Sequence, residues 1–536
     1  MVAIGRLTGF GGWKRPGRLN IPAFVTLPEW PGIEGVSDMA TADVPLRRGW
    51  MGYMQSQGHN PTLLQMTIPG THDTGTWKLG PSISKCQAWP LRTQLDNGIR
   101  FIDIRLVPES DAKHPNDLKV YHGSKPAFST DCDVWFSDVI ADCRSFLHDN
   151  PGETVIMSIK NEHNNVSAVD FSTALDPFLI HTQDDAGDPL FRYGTVVPTL
   201  SMAMGRIVLF RRYDYPPANT PGFTPPAEFN GAAPGIDGVT GWPDDNWTTA
   251  PTAGFPPLMV QDVFGMSATS KEKKWKDFIA PFLLQAEQGY PGAWFFNFTS
   301  ASGGLPPSDF ARDINSWLQT WLEAKLAQGN LVRLGTIAMD FPAQRSIDLL
   351  IAINLPVQPG TIHSFLAYTM SNAGLARGIG PAHKYAGWNY AQSTATGLIP
   401  HSLVKLSGNA DIARIYPGDT VMLHSTAFTN DEDTYLEGLG YNYEGSQLYY
   451  CTSAGYSYGA AMVQWSVESP DAQRDPTKAF NLGEKLLLRN LSTHYFTQQN
   501  GHLYSQDGED YLGTAPLPTP GVPGTLLLED FEWVLT

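Results

Sequence analysis

The stretch "TIPGTHDTGTW", residues 67–77, decides how the rest of the chain is read. An apolar run closes on Pro69-Gly70, and an ionisable pair, His72-Asp73, follows among small residues. Alone, such a pair is an ordinary loop feature. It gains meaning because other apolar runs end the same way. The segments 63–69, 99–106, 118–122, 153–160, 205–212, 258–264, 293–299 and 334–340 read as strands. At or just beyond their C-terminal ends stand His72 and Asp73, Asp103 and Arg105, His122, Lys160 with Glu162 and His163, Arg211 and Arg212, Asp262, Asn297 and Thr299, and Asp340.

Amphipathic segments lie between these runs at 85–97, 135–149, 271–288 and 308–328, and another follows at 344–354. Ser308, followed by acidic Asp309, has the character of a helix N-cap. Alternation of apolar strands with helices points to a parallel (β/α)8 barrel of TIM type. Between 106 and 118 there is room only for a loop, so the barrel is expected to be irregular there. A charged group at the end of one strand is commonly a solvated surface residue. Polar groups closing all eight strands of one barrel converge on one rim, where burying charge is costly unless it is paired or used.

The contents of that rim restrict the chemistry. Two histidines near carboxylates can act as a neutral proton acceptor and a protonated donor near neutral pH. Arg105, Lys160 and Arg212 are cations in a chain of net charge −17, which marks them as anion ligands. The overall charge argues against nucleic acid or anionic membrane as a partner attracted at long range. Four cysteines, Cys86, Cys132, Cys143 and Cys451, form neither a CxxC pair nor a zinc spacing, so no disulfide scaffold is expected.

The segments "MTIPGTHDTGT", "GIRFIDIR", "VYHG", "ETVIMSIKNE", "GRIVLFRRY", "MVQD", "FFNFTS" and "GTIAMDFP" occur in the order seen in bacterial-type phosphatidylinositol-specific phospholipase C, which the chain resembles over about 50–355. The resemblance implies an irregular (β/α)8 barrel and cleavage of phosphatidylinositol, or a related lipid such as a glycosyl-phosphatidylinositol anchor, to diacylglycerol and inositol 1,2-cyclic phosphate. It implies His72 as general base oriented by Asp340, His122 as general acid assisted by Asp73, and Arg105 as the stabiliser of phosphoryl charge. Lys160, Arg212 and Asp262 match ligands of the inositol hydroxyls, and Asp103 is a supporting residue. The family often places a Tyr two residues after the Asp of "QD"; this chain has Phe264. No cofactor and no metal are expected, because Arg105 and Lys160 stand where a divalent ion would need carboxylates. Two competing readings are a metal-dependent glycerophosphodiesterase and a lipid- or glycan-binding protein that uses the barrel as a scaffold.

The organisation follows: an irregular arm over 1–49, the barrel over 50–357, and a β-rich domain over 358–536. Residues 214–257 read as a Pro/Gly-rich insertion whose Phe223, Phe229, Trp242, Trp247 and Phe255 are candidates for insertion into a lipid interface or for packing on the protein. In the tail, "GDTVMLHSTAF" (418–428) resembles "GEKLLLRNLSTHYF" (483–496), and "VQWSV" (463–467) resembles "FEWVL" (531–535). A repeat of this kind fits a trefoil, and a sandwich with chance similarity fits as well. The tail is a candidate for a glycan or lipid ligand. No apolar run reaches the roughly 18 residues of a transmembrane helix. The N-terminus lacks the apolar core of a secretory signal. A cytoplasmic or membrane-peripheral location is therefore expected, with non-classical export open.

Overall fold

The computed structural model describes residues 45–267, 269–327 and 333–355, and residues 360–536 apart from 365, 374, 376, 386–387, 412, 426–434, 438–448, 451, 455–462, 492–500, 506–511 and 519–526. The arm expected over 1–49 lies outside the described residues up to 44, and its last positions are helical, in Pro45–Ser56.

The first sheet contains β1 (Thr67–Thr71), β2 (Phe101–Glu109), β3 (Asp117–His122), β4 (Thr130–Trp135), β5 (Val155–Asn161), β6 (Phe191–Arg192), β7 (Ile207–Arg212), β8 (Ile236–Asp237), β9 (Leu258–Gln261), β10 (Trp294–Phe298) and β11 (Gly335–Met339). Its parallel path runs β7-β5-β2-β1-β11-β10-β9, with β6 and β8 both on the outer edge of β7. Every residue of β1, β10 and β11 is buried. Such unbroken burial is what a parallel strand covered on both faces requires, and it explains the continuous apolar runs. Inside the curl, the rings of Phe101, Phe210, Trp294, Phe296 and Phe298 pack on one another, with Phe210 and Phe296 4.6 Å apart. This aromatic plug is the floor of the rim described below. Gly70 is required where β1 passes β2, because a Cβ there would come within 2.8 Å of the Phe101 ring.

Three expectations need correction. The run 118–122 is not a barrel strand: β3 pairs antiparallel to β2, with Leu106 opposite Val120. The link before it is too short for a crossover helix, so β2 overshoots the rim to Glu109 and the chain returns. The eighth barrel position is taken by β8, inside the segment read as an insertion, with Ile236 beside Phe210. Two residues carry no periodicity, so this strand was invisible in the sequence. The helix Ala168–His181 was also missed, because Pro177 interrupts its pattern. Among the described residues no ladder joins β8 to β9, so the sheet curls without closing.

Five of the six aromatic residues of 214–257 pack on the protein, Tyr215 among them, partly buried against the core. Phe223 and Phe229 are buried, and Trp242 and Trp247 are partly buried against the core. Phe255 alone is largely exposed, at 66%.

The second sheet contains β12 (Ala367–Asn372), β13 (Gly378–Tyr385), β14 (Trp388–Thr394), β15 (Pro400–Ser407), β16 (Thr420–His424), β17 (Tyr435–Glu437), β18 (Tyr449–Tyr450), β19 (Thr452–Ala454), β20 (Trp465–Glu468), β21 (Lys485–Asn490), β22 (His502–Tyr504), β23 (Gly513–Ala515) and β24 (Trp533–Leu535). The pairings β12–β15, β15–β16, β16–β20, β20–β21, β21–β24 and β24–β12 close a six-stranded ring. The hairpins β13–β14, β17–β19 and β22–β23 append to it. This is trefoil topology, and the sandwich alternative falls. The repeat read in the sequence has a side-chain signature: Trp465 Nε1 donates to Leu436 O, and Trp533 Nε1 donates to Leu503 O, each at 3.0 Å. Val404, Ala413, Met422 and Val463 of this region pack into the barrel's own core, and Tyr53 of the first helix donates to Asp411 Oδ1 at 2.9 Å.

Candidate active site

The rim formed by the C-terminal ends of the parallel strands holds a cleft of about 430 Å³. Nine of the residues picked from the sequence line it: His72, Arg105, His122, Lys160, Glu162, Arg212, Asp262, Phe264 and Asp340. Asp73 and Asp103 lie beneath them, buried. The parallel register brings these strand ends level, Arg105 beside Lys160 and Lys160 beside Arg212. His122 arrives differently, on the returning strand of the β2–β3 hairpin.

At the centre is Asp73. It stands two residues after β1 with a left-handed backbone (φ 44°). Its Oδ2 lies 2.8 Å from His122 Nδ1 and 3.3 Å from His72 Nε2, so both imidazoles meet one carboxylate oxygen. Its Oδ1 lies 3.1 Å from Arg105 Nε. These are close ionic contacts rather than well-aligned hydrogen bonds, since neither oxygen gains a geometrically good donor. On its far side His72 Nδ1 meets Asp340 Oδ1 at 2.8 Å, and the edge of the imidazole rests on Phe298 with ring planes at 87°. Asp340 follows β11 directly, and Asn315 Nδ2 donates to its carbonyl. Gln87 Nε2 donates to the carbonyls of His72 and Met339, tying the ends of β1 and β11 together.

A second layer of charge surrounds this core. Arg105 Nη2 is 3.0 Å from Asp103 Oδ2, and its Nη1 is 3.7 Å from Glu162 Oε1. Glu162 also holds Lys160 Nζ at 2.9 Å and accepts the Gly123 N–H, the residue after His122. Arg212 reaches Asp103 at 3.4 Å and Asp262 at 3.6 Å.

The electrostatics follow from this packing. Burial opposes charge on His72, but the nearby carboxylates of Asp340 and Asp73 outweigh it and hold the imidazole pKa above its ordinary value. Burial likewise opposes ionisation of Asp73, yet Arg105 and the two histidines hold its carboxyl well below the usual range. Asp103 is depressed in the same sense by Arg105 and Arg212 against its burial. Arg105 is pushed further up by its three carboxylates.

Sequence reasoning placed four strand-end residues here that point elsewhere; one of them, Thr299, is buried with its hydroxyl donating to the Ala338 carbonyl. His163 contacts Ser129 and Tyr121, Arg211 pairs with Asp237, and Asn297 is buried against Gln261. It also overlooked two. Trp242 lies under the Arg212 guanidinium at 3.9 Å and donates its indole N–H to Asp262 at 3.0 Å. Its aromatic character was visible, but its placement depends on β8. Cys86 borders the cleft from a loop and carried no spacing signal. Cys86 forms two candidate metal-ligand sets, one with His72 and Asp340 and one with Asp73 and His122.

Fold and cleft together define a barrel enzyme whose site pairs two histidines with a guanidinium. Residues 66–213 match the family model of the phosphatidylinositol-specific phospholipase C, X domain. The chain is 26% identical over 309 residues to the 1-phosphatidylinositol phosphodiesterase of Listeria monocytogenes serovar 1/2a, an alignment spanning 56% of this chain and 84% of that protein. It is 29% identical over 170 residues to the protein of the same name from Staphylococcus aureus strain Newman, over 30% of this chain and 50% of the relative. The chain thus spans half the length of that relative. Among solved structures, a phosphatidylinositol-specific phospholipase C from Staphylococcus aureus aligns at TM-score 0.47 and 22% identity, covering 59% of this chain and 100% of that one. The Listeria monocytogenes phosphatidylinositol-specific phospholipase C aligns at 0.42 and 24%, covering 58% and 99%.

Proposed function

We propose that the protein is a metal-independent phosphatidylinositol-specific phospholipase C that cleaves an inositol phospholipid to diacylglycerol and inositol 1,2-cyclic phosphate. The observation that carries this reading is the meeting of two imidazoles on one oxygen of Asp73, with Arg105 on the other.

With His72 Nδ1–H donated to Asp340, Nε2, which stands 3.3 Å from Asp73 Oδ2, keeps its lone pair and accepts the proton of the inositol 2-hydroxyl. The oxygen attacks the adjacent phosphorus, closing a five-membered phosphodiester. The bond to the diacylglycerol oxygen breaks, and His122, held by Asp73 through Nδ1, gives that oxygen a proton from Nε2. Arg105 offers positive charge to the phosphoryl oxygens as their charge grows, the role a divalent ion would otherwise fill. Lys160, Arg212 and Asp262 face the cleft from adjacent strand ends and suit the remaining ring hydroxyls. Phe264 presents a ring face without a hydroxyl. It is 38% exposed at the mouth beside Ile83, exposed at 68%, so the cleft opens between apolar side chains suited to a lipid surface. Among the described residues no helix is long and apolar enough to cross a membrane.

Phosphorus NMR of phosphatidylinositol incubated with the enzyme in excess chelator tests the reading. A cyclic phosphodiester resonance supports it. A phosphomonoester as the first product, or no turnover until a divalent ion is restored, contradicts it and favours the glycerophosphodiesterase chemistry.

A further inference from the structure

Cys86 has no part in the chemistry above, yet it is built into the site. It is 1% exposed, and its backbone is pinned from both sides: its N–H donates to Thr76 Oγ1 at 2.9 Å, and its carbonyl accepts the Phe341 N–H at 2.9 Å. Thr76 follows His72 by four residues and Phe341 follows Asp340 directly. The next residue, Gln87, bonds the carbonyls of His72 and Met339 at 2.7 and 2.9 Å. The thiol is therefore anchored to both segments that carry the His72–Asp340 pair. One ligand atom from each of His72, Cys86 and Asp340 lies within 4.8 Å of the others.

We propose that these three side chains form an inhibitory site for a thiophilic divalent cation, Zn2+ or Cd2+, with water from the cleft completing the shell. The inference rests on the phospholipase reading only for its consequence, inhibition, and not for binding. A nitrogen, a thiolate and a carboxylate are the donor types tetrahedral Zn2+ takes, and a thiolate with a carboxylate neutralises a divalent ion. Hard ions such as Ca2+ and Mg2+, which select oxygen, are disfavoured by the sulfur. The alternative set of Asp73, Cys86 and His122 is weaker, because Asp73 already carries Arg105 at 3.1 Å. Asp340 makes no ion pair with lysine or arginine among the described residues. Binding releases the thiol proton and the Nδ1 proton of His72 to solvent or to Nε2. An imidazole that holds metal at Nδ1 and a proton at Nε2 has no lone pair left for the inositol hydroxyl. Zn2+ thus acts here as an inhibitor and not as a cofactor.

The test uses the full-length protein freed of metal with chelator and then dialysed. Co2+ is titrated in as a spectroscopic stand-in, and Zn2+ inhibition is read on a soluble inositol phosphodiester. The native protein should develop a near-ultraviolet thiolate-to-Co2+ band that Zn2+ removes. Cys86→Ser should lose the band and need at least roughly tenfold more Zn2+ for half inhibition. Cys86→Ala should behave alike, which guards against a folding defect peculiar to one replacement. A band with no turnover upholds the site and overturns the phospholipase reading. Turnover without a band in the native protein, or equal Zn2+ sensitivity in native and Cys86→Ser enzymes, overturns the site and leaves the reading standing.

Discussion

Two arginines five residues apart, one buried and one partly exposed, serve opposite ends of the barrel. Arg100, just before β2, is wholly buried and saturated. Its Nε donates to Glu153 at 2.7 Å, Nη1 to the carbonyls of Leu95 and Ile99, and Nη2 to those of Arg47 and Arg48. Arg105, five residues on, touches three carboxylates, yet makes a well-formed hydrogen bond only to Asp103. At the closed end the geometry is complete and leaves no valence for a ligand. At the open end the charge is balanced but the hydrogen-bond capacity is not used up. Buried ion pairs need not stabilise a fold, and a network left incomplete beside a cleft is one that a substrate can finish.

This contrast can be broken by substitution. The largest effects should fall on turnover at the open end. His72→Ala and His122→Ala should each cost roughly 10²–10⁴-fold in kcat, measured on phosphatidylinositol in mixed micelles, with the thermal midpoint little changed. Wild-type-like rates in either variant would remove the acid–base pair. Arg105→Ala should lose roughly 10²–10³-fold in kcat. Water from the cleft can solvate the carboxylates it leaves, so denaturant unfolding should report a smaller stability loss than for Arg100→Ala. Arg100→Ala leaves Glu153 charged in a dry site and should cost about 3–5 kcal/mol by urea titration. Equal stability losses in the two would dissolve the distinction between the ends.

A finer probe is pH. His72 must be neutral to accept a proton, and Asp340 and Asp73 hold its pKa up, so the acid limb of kcat/KM should lie above the roughly 6.5 of a free imidazole. Asp73→Asn removes a negative charge and should move that limb down. A limb at or below the free value in the wild type contradicts the packing described. The smallest effect concerns Trp242. Replacing it with Phe deletes the indole hydrogen bond to Asp262 while keeping a ring under Arg212, and should raise KM by roughly one order of magnitude or less, with kcat nearly kept.

The parts of this site that were legible in the sequence are those written locally. A parallel strand buried on both faces is a continuous apolar run, and the polar residue that ends it is visible at once. Hence His72, Arg105, Lys160, Arg212, Asp262 and Asp340, which line the cleft, are legible in the sequence. What was hidden depends on pairing at a distance. The run before His122 has the same composition in either direction, so only the length of its link betrayed a hairpin. The strand Ile236–Asp237 is too short to show a period, and without it Trp242 could not be placed beside Arg212. Cys86 enters through two backbone hydrogen bonds that no pattern of residue types encodes. In the trefoil, the Trp465 and Trp533 pair was legible because both repeats spend the same large side chain on the same hydrogen bond.

The central claim is that the two imidazoles divide the proton transfers, His72 taking one and His122 giving one. A substrate pair isolates this: the same inositol phosphodiester with an alcohol leaving group, or with a nitrophenolate that departs without needing a proton. The His122→Ala deficit should shrink by roughly two orders of magnitude or more with nitrophenolate, while that of His72→Ala should stay the same for both. Equal deficits for His122→Ala on the two substrates, or relief of His72→Ala instead, would contradict it.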